Sequence, residues 1–474
     1  MHTTVKRRRI RLAIVSPCPP RACPVATYTD ELIRMLRAVT PEIVPSLWAI
    51  ARDGSGEPVA GGLTAAGVIG FDDPSAYRRA GLRVGRIGAS AALLQVGPGT
   101  AGGPHGRYLL GLTDELKRQH LPYLVTLHDV RPAMRPDDAD VVAALCRDAA
   151  GVIVLSQSAR SALVHNRIAA SGRIAVVPHG APPELLQRGA EPVGAAIAGV
   201  LAPAAGGPLL ATLGHLRPAK GLEVAVTALP LLAERHPGVR YVVAGRTHDD
   251  QVRLSGEWYR ETLAKVAQSL GVADRLSLVD VDPNAAELSA LLRATDVYLA
   301  PDLDRGRTSG GSLGYALAAG RPVAAAANPF ANEVVSARGG LVVAPGDPAA
   351  LAAAVDRLIT EPVAGAGRWP SSIATAEQIA GLVSLITGSS SRVVRRTNRG
   401  PGTFVPAAGV QRPYPHQAPG ARVYVTPAGR DHGDSDRNGG IPRKIRHRQD
   451  DPPRLPAGGC PRSTSDSPDW TVAS

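Results

Sequence analysis

The sequence predicts an α/β chain built on two parallel, doubly wound sheets, and three observations point there. Short apolar runs alternate with stretches of helical spacing over most of the chain, as βαβ units require. A stretch of mostly Ala, Gly and Pro with no strong pattern, residues 189–207, divides the alternation into two sets. In the second set, Asp296 to Val323 reads DVYLAPDLDRGRTSGGSLGYALAAGRPV. That is an apolar strand bounded by Pro301, a polar glycine-bearing loop, and a run of helix formers from Ser312 to Ala319 stopped by Gly320 and Pro322. Strand, glycine-rich turn and helix in that order aim backbone N–H groups and a positive helix end at one spot, which suits a phosphate. A turn kept small for steric reasons alone is the plainer alternative.

Taken in order, Ile10 to Ser16 (IRLAIVS) predicts a strand, broken by Pro17-Cys18-Pro19-Pro20. Thr27 to Val39 has helical spacing, with Leu32, Met35, Leu36 and Val39 on one face. Ala91–Val96 is a strand before a Gly/Pro turn, and Tyr108–Gln119 a helix. Leu121 to Leu127 gives a strand ending at His128-Asp129; the helix Val141–Ala149 and the strands Gly151–Leu155 and Ile174–Val177 complete the set. The second set runs strand Leu209–Leu213, helix Leu222–Glu234, strand Tyr241–Ala244, helix Trp258–Leu270, strand Arg275–Val279, helix Ala285–Ala294 and strand Val297–Ala300. Strands at Pro322–Ala326 and Gly340–Val343 follow, then helices at Pro348–Ile359 and Thr375–Ile386. Beyond Ser389 the pattern is lost: 12 prolines and 10 glycines fall among 86 residues, and a disordered tail is expected.

A chain of 474 residues is too long for one core. Its formal charge of +12 suggests a nucleic-acid partner, but residues 391–474 hold 14 Lys/Arg against 7 Asp/Glu, so more than half of the excess sits in the tail. No basic polymer-binding face is required, and no nucleic-acid partner is expected. Cys18, Cys23, Cys146 and Cys460 have no paired spacing for zinc or a disulfide framework, which fits a reducing cytosol. No apolar run has the length of a membrane span, and Met1 to Arg11 lacks the apolar centre of a signal peptide. Lys6 to Arg9 could touch anionic lipid, giving a cytoplasmic protein with peripheral membrane contact; a solvated start before the first strand is the plainer reading.

The loop after the first strand of the second set reads GHLRPAKG, Gly214 to Gly221. It resembles the G-R-L-x-x-x-K-G signature of the family-4 (group 1) retaining glycosyltransferases of GT-B fold. The stretches GRTHDD…GEWYRETL, ATDVYLAPDLDRGRTSGGSLGYALAAGRPV and Asn332-Glu333 appear in family order, as do SPCPPRACPVATYTDEL, VTLHDV and VVPHGAP in the first half. The mannosyltransferase-like branch, whose turn reads T-S-G-T-L-A-Y-A-L, is the best match. The resemblance covers residues 10 to about 388. It implies a GT-B chain in which two Rossmann-like domains face across a cleft: residues 1–188 on the acceptor side, a linker at 189–207, the nucleotide-sugar domain at 208–370, a closing helix at 371–388, and the tail at 389–474.

The resemblance also implies roles. Lys220, with Gly214, His215 and Arg217 in its loop, and the turn Thr308, Ser309, Gly310, Gly311 and Ser312 would hold the diphosphate of a nucleotide sugar. His128 and Glu333 would position the hexose. Each has a plainer alternative: a solvent-exposed arginine for Arg217, an acid at a helix N-terminus for Glu333, a strand-capping histidine for His128. His179, in PHG, ends another strand. Several residues depart from the family. Its paired glutamates fall at Gly306 and Gly314, the signature arginine is His215, and the Q-H-E-F-G-I-F-G-G loop reads Gln95-Val96-Gly97-Pro98-Gly99-Thr100-Ala101-Gly102-Gly103. Pro24 replaces the glycine of the C-G-I-A turn.

The function so implied is transfer of a hexose, mannose by branch resemblance, from a nucleotide diphosphate sugar to a saccharide or lipid-linked acceptor with retention. Polysaccharide biosynthesis is the implied setting, and neither a metal nor a cofactor besides the donor substrate is expected. The alternative is a catalytically impaired GT-B protein that binds a nucleotide or a protein partner.

Overall fold

The computed structural model describes residues 9–52, 57–186, 193–201, 206–361 and 369–389. The strands are β1 (Ile10–Ser16), β2 (Ile43–Ala51), the two-residue pair β3 (Val59–Ala60) and β4 (Leu63–Thr64), β5 (Gly67–Gly70), β6 (Ala91–Val96), β7 (Tyr123–Leu127), β8 (Gly151–Val154) and β9 (Ile174–Val176). All but the small pair form one sheet, in the order β5-β2-β1-β6-β7-β8-β9, parallel throughout. The second half gives β10 (Leu209–Leu213), β11 (Arg240–Ala244), β12 (Leu276–Val279), β13 (Val297–Ala300), β14 (Val323–Ala326) and β15 (Leu341–Val343). They pair in parallel in the order β12-β11-β10-β13-β14-β15.

Strands buried on both faces read as unbroken apolar runs. In β1, Ala13 and Val15 face one core while Leu12 and Ile14 face the other. The first core lies under the helices Pro74–Arg86, Tyr108–Arg118, Pro136–Asp148 and Gln157–His165. The second lies under Pro24–Val39 and, from the far end of the chain, Ser372–Ile386, whose Ala376, Ile379, Ala380 and Val383 join Tyr28, Leu32 and Leu36. The chain therefore returns from the second sheet to finish the first. The second sheet is likewise filled on both faces.

Several elements depart from the sequence reading. The first helix begins at Pro24, not Thr27. Proline is tolerated at the first helical position, where its missing N–H has no intrahelical partner to lose. The strands β2 and β5 and the helix Pro74–Arg86 have no counterpart in the prediction; Pro45 interrupts the strand pattern and four residues of that helix are arginines. Within 189–207, Ala195–Leu201 is a helix whose fully buried Ile197 packs on the second core. Val200 and Leu201 pack on it less deeply, and the surrounding alanines and glycines hide this short spacing in the sequence. The tail expected from residue 389 lies, after Ser389 itself, outside the described residues, as do Lys6 to Arg8. No helix of the described residues is long and apolar enough to cross a membrane.

Candidate functional site

Each sheet reverses its winding at its first strand: β1 lies between β2 and β6, and β10 between β11 and β13. Loops leaving the strand ends at such a point diverge and leave a crevice beyond the carboxyl edge. Here both crevices border one cavity of about 160 Å³, reached by the loops after β7, β9, β10 and β13 and by the start of the helix Pro24–Val39.

Lys220 enters it from a short 3-10 turn, Pro218–Lys220, after β10. It is only 8% exposed, and its Nζ donates to the Leu213 carbonyl at 2.6 Å. Burial pushes its pKa down to about 7, Asp302 opposing this and Arg307 and Arg217 adding to it. Gly214 makes the turn possible. Its φ is +101°, and a Cβ there would stand 3.1 Å from Nζ. Half-buried Arg217 lines the same cavity, and its guanidinium makes no hydrogen bond or ion pair among the described residues. Burial and the neighbouring Arg307 lower its pKa. An unpaired guanidinium beside an amine near its titration point is a place for an anion. His215 also lines the cavity, its ring 6.0 Å edge-on from His248, and burial takes its pKa to about 3.

The opposing wall is the amino end of the helix Gly311–Ala318, with Gly310 preceding it in extended conformation. Gly311 presses on His179, where an added Cβ would be 2.5 Å from the ring. Ser312 and Tyr315 continue the wall, and the Tyr315 hydroxyl meets His179 Nε2 at 3.3 Å. Thr308 and Ser309 are used differently from the rest of that turn. Thr308 is fully buried; its hydroxyl donates to the Val130 carbonyl at 2.7 Å and accepts from the Val130 N–H at 3.2 Å. Its own carbonyl accepts from Ser156 Oγ at 2.6 Å. Ser309 lines the cavity, but its hydroxyl donates to the His128 carbonyl. These two hydroxyls stitch the halves together instead of facing a phosphate, because the loop after β13 reaches across to the end of β7.

Glu333 also departs from the sugar-positioning role expected of it. Its oxygens accept from the N–H groups of Gln157 at 2.9 Å and Ser158 at 2.8 Å, capping the helix Gln157–His165 of the opposite half. It is an acid at a helix N-terminus, and it does not line the cavity. His128 does. It is 8% exposed at the end of β7, edge-on to Tyr28 at 4.7 Å, and its Nε2 lies 2.7 Å from Gln95 Oε1. Burial, and then His179, hold its pKa down to about 3, so the ring is neutral near pH 7. With Gln95 accepting, Nε2 carries the proton and Nδ1 keeps its lone pair. Gln95 has no role in the sequence reading; the glutamine that opens the altered 95–103 loop was its signal.

Where the paired glutamates of the resemblance would fall, space differs. At Gly314 an added Cβ would stand 2.8 Å from the Trp369 indole; at Gly306 the nearest atom is 3.7 Å away. Gly314→Glu is therefore expected to lower the melting temperature by roughly 5 °C or more, through overpacking and a buried charge. Gly306→Glu should stay within about 2 °C of the parent. Thermal melts of the two variants check this, and equal losses would show that Trp369 does not control position 314.

Residues 207–361 match the family model described as glycosyl transferases group 1. The chain is 30% identical over 254 residues to a 2-deoxystreptamine glucosyltransferase of Streptomyces kanamyceticus, an alignment covering 51% of this chain and 62% of that protein. It is 33% identical over 161 residues to a GDP-mannose-dependent alpha-(1-6)-phosphatidylinositol monomannoside mannosyltransferase of Mycolicibacterium smegmatis, covering 33% and 39%. The chain thus spans less than two thirds of the length of either relative. Among solved structures, Anabaena HepE in complex with UDP and glucose superposes with a TM-score of 0.57 at 16% identity, covering 82% of this chain and 99% of that one. That likeness is one of fold, and the fold is GT-B.

Proposed function

With residues 207–361 forming a group 1 glycosyltransferase domain within a GT-B body, we propose that the protein transfers a hexose from a nucleotide diphosphate sugar to a saccharide or lipid-linked acceptor. One observation carries this reading. Buried Lys220, unpaired Arg217 and the amino end of the helix Gly311–Ala318 converge in one cavity, opposite neutral His128. The departing diphosphate develops negative charge, and a fixed cation with a helix end can stabilise it. The reading needs no metal and no further cofactor, since these groups supply the positive charge.

Relatives named for glucosyl and for GDP-mannose-dependent transfer both support a hexose donor. Mannose and retention are the finer parts of the proposal, resting on the branch resemblance of the turn. Thermal shifts against UDP-, GDP- and ADP-sugars test the donor site, and a donor at a hundred times its Kd should add about 2.7 kcal/mol. Donor turnover and the anomer formed then test the reaction. No shift with any nucleotide sugar would overturn the reading. Binding without turnover would favour an impaired GT-B binding protein, a second reading supported by glycine at 306 and 314.

A further inference from the structure

The cavity continues into a side chamber of about 100 Å³ that shares His128, Arg217 and Arg307 with it and brings in Asp129 and Asp304. That volume corresponds to about three water molecules at liquid density, room for one or two hydroxyl groups. Its two carboxylates are unlike. Asp304 is satisfied: it takes both terminal nitrogens of Arg131, at 3.1 and 2.7 Å, and the Gly306 N–H at 3.1 Å. Asp129 is not. Its Oδ2 stands 3.5 Å from the same guanidinium, and its Oδ1 is buried with no hydrogen-bond partner among the described residues.

A buried polar atom without a partner is uncommon enough to require an explanation. Two classes of ligand could supply one, a cation or a neutral hydroxyl. The surroundings decide between them. Arg131, Arg307 and Arg217 act on Asp129 against one further carboxylate, Asp304, which Arg131 already pairs, so a cation is disfavoured there; burial disfavours the charged form of Asp129 and makes a hydrogen-bond donor more valuable. Gly306 contributes no side chain to this corner, where an added Cβ would still lie 3.7 Å from Asp304 and 4.0 Å from Arg131.

We propose that Asp129 is a sugar-binding residue, its free carboxylate oxygen accepting a hydroxyl of the transferred hexose in the side chamber. This rests on the donor-site reading above. The experiment compares calorimetric affinities of the parent and Asp129→Asn for four ligands: UDP, UDP-glucose, GDP and GDP-mannose. Asparagine keeps the shape, and a melting curve of each protein controls for folding. The expected result is that Asp129→Asn binds UDP and GDP within two-fold of the parent and loses about ten-fold or more for whichever nucleotide sugar binds. Equal affinity of parent and variant for the nucleotide sugar would overturn the inference and leave the donor site standing. Parallel loss of the diphosphate and its sugar would overturn it too, placing Asp129 with the phosphates or the fold. Failure of the parent to bind any of the four would remove the donor-site reading and the inference with it.

Discussion

Replacing Lys220 with methionine is expected to weaken nucleoside diphosphate binding by roughly 10- to 150-fold, the worth of a charge-assisted contact of about 1.5–3 kcal/mol. The amine is the buried cation at the head of the cavity, and methionine keeps most of its stem. The melting temperature should move by only a few degrees, since losing the bond to the Leu213 carbonyl is offset by removing a buried charge. Alanine is the poorer test, because a side chain only 8% exposed leaves a cavity behind. Arg217→Ala should cost less than Lys220→Met, since its half-buried guanidinium is partly screened by solvent.

The pH dependence gives the same prediction a second readout. Burial holds the pKa of the Lys220 amine down to about 7, and a bound diphosphate would raise that value. Binding above pH 7 should therefore take up a proton, and affinity should fall as pH rises toward 9. For folding the sign is opposite. The unfolded chain holds this proton up to about 10.5. It therefore binds more protons than the folded state between pH 7 and 10.5, and stability gains from this residue as pH rises through that window. In Lys220→Met both dependences should vanish. Calorimetry in two buffers of different ionisation enthalpy measures the proton uptake; a methionine variant that binds as tightly as the parent would place the diphosphate elsewhere.

His128→Ala should lower hexose transfer about 100-fold or more while leaving nucleoside diphosphate affinity within a few-fold. The ring lines both lobes of the cavity, is held by Gln95 and Tyr28, and carries no charge with which to hold phosphate. Its burial also has a pH signature. The unfolded imidazole gains a proton near 6.5 and the folded one near 3, so stability is full above 6.5 and is lost as pH falls below it. His179, near 4, and His215, near 3, act in the same direction. The parent should thus melt progressively lower between pH 6.5 and 4, and the variant less steeply. A variant that loses diphosphate binding and transfer together would mark His128 as structural.

Much of the fold was legible because local signals agreed with one another. Leu209–Leu213, Ala285–Ala294 and Val297–Ala300 have the predicted boundaries: apolar runs meet Pro301, and Asn284 with Glu287 closes a capping box. The cavity's chemistry was legible where one loop carries it, as with Gly214 to Lys220. What escaped depends on distant partners. Thr308 bonds to Val130, 178 residues away, and Glu333 to Gln157, 176 away. In each case a hydroxyl or carboxylate that could serve a ligand serves the opposite half of the protein, and no spacing reports that. Arg307 and Asp129 stood beside recognised residues, but their importance comes from burial, which a single sequence does not display.

The return of the last helix to the first sheet sets the order in which this chain can be completed on the ribosome. Tyr28, Leu32 and Leu36 are made early, yet the core they belong to also contains Ala376, Ile379, Ala380 and Val383. At roughly 5–20 residues per second, the gap between the two groups is on the order of tens of seconds. Over that interval the nascent first domain exposes an apolar stripe that its own residues cannot cover. The second domain closes sooner: its sheet is complete once Val343 has been made, and its cores then need only Leu351 to Leu358 and Trp369. A chain stalled before Ser372 should accordingly engage chaperones through its amino-terminal half.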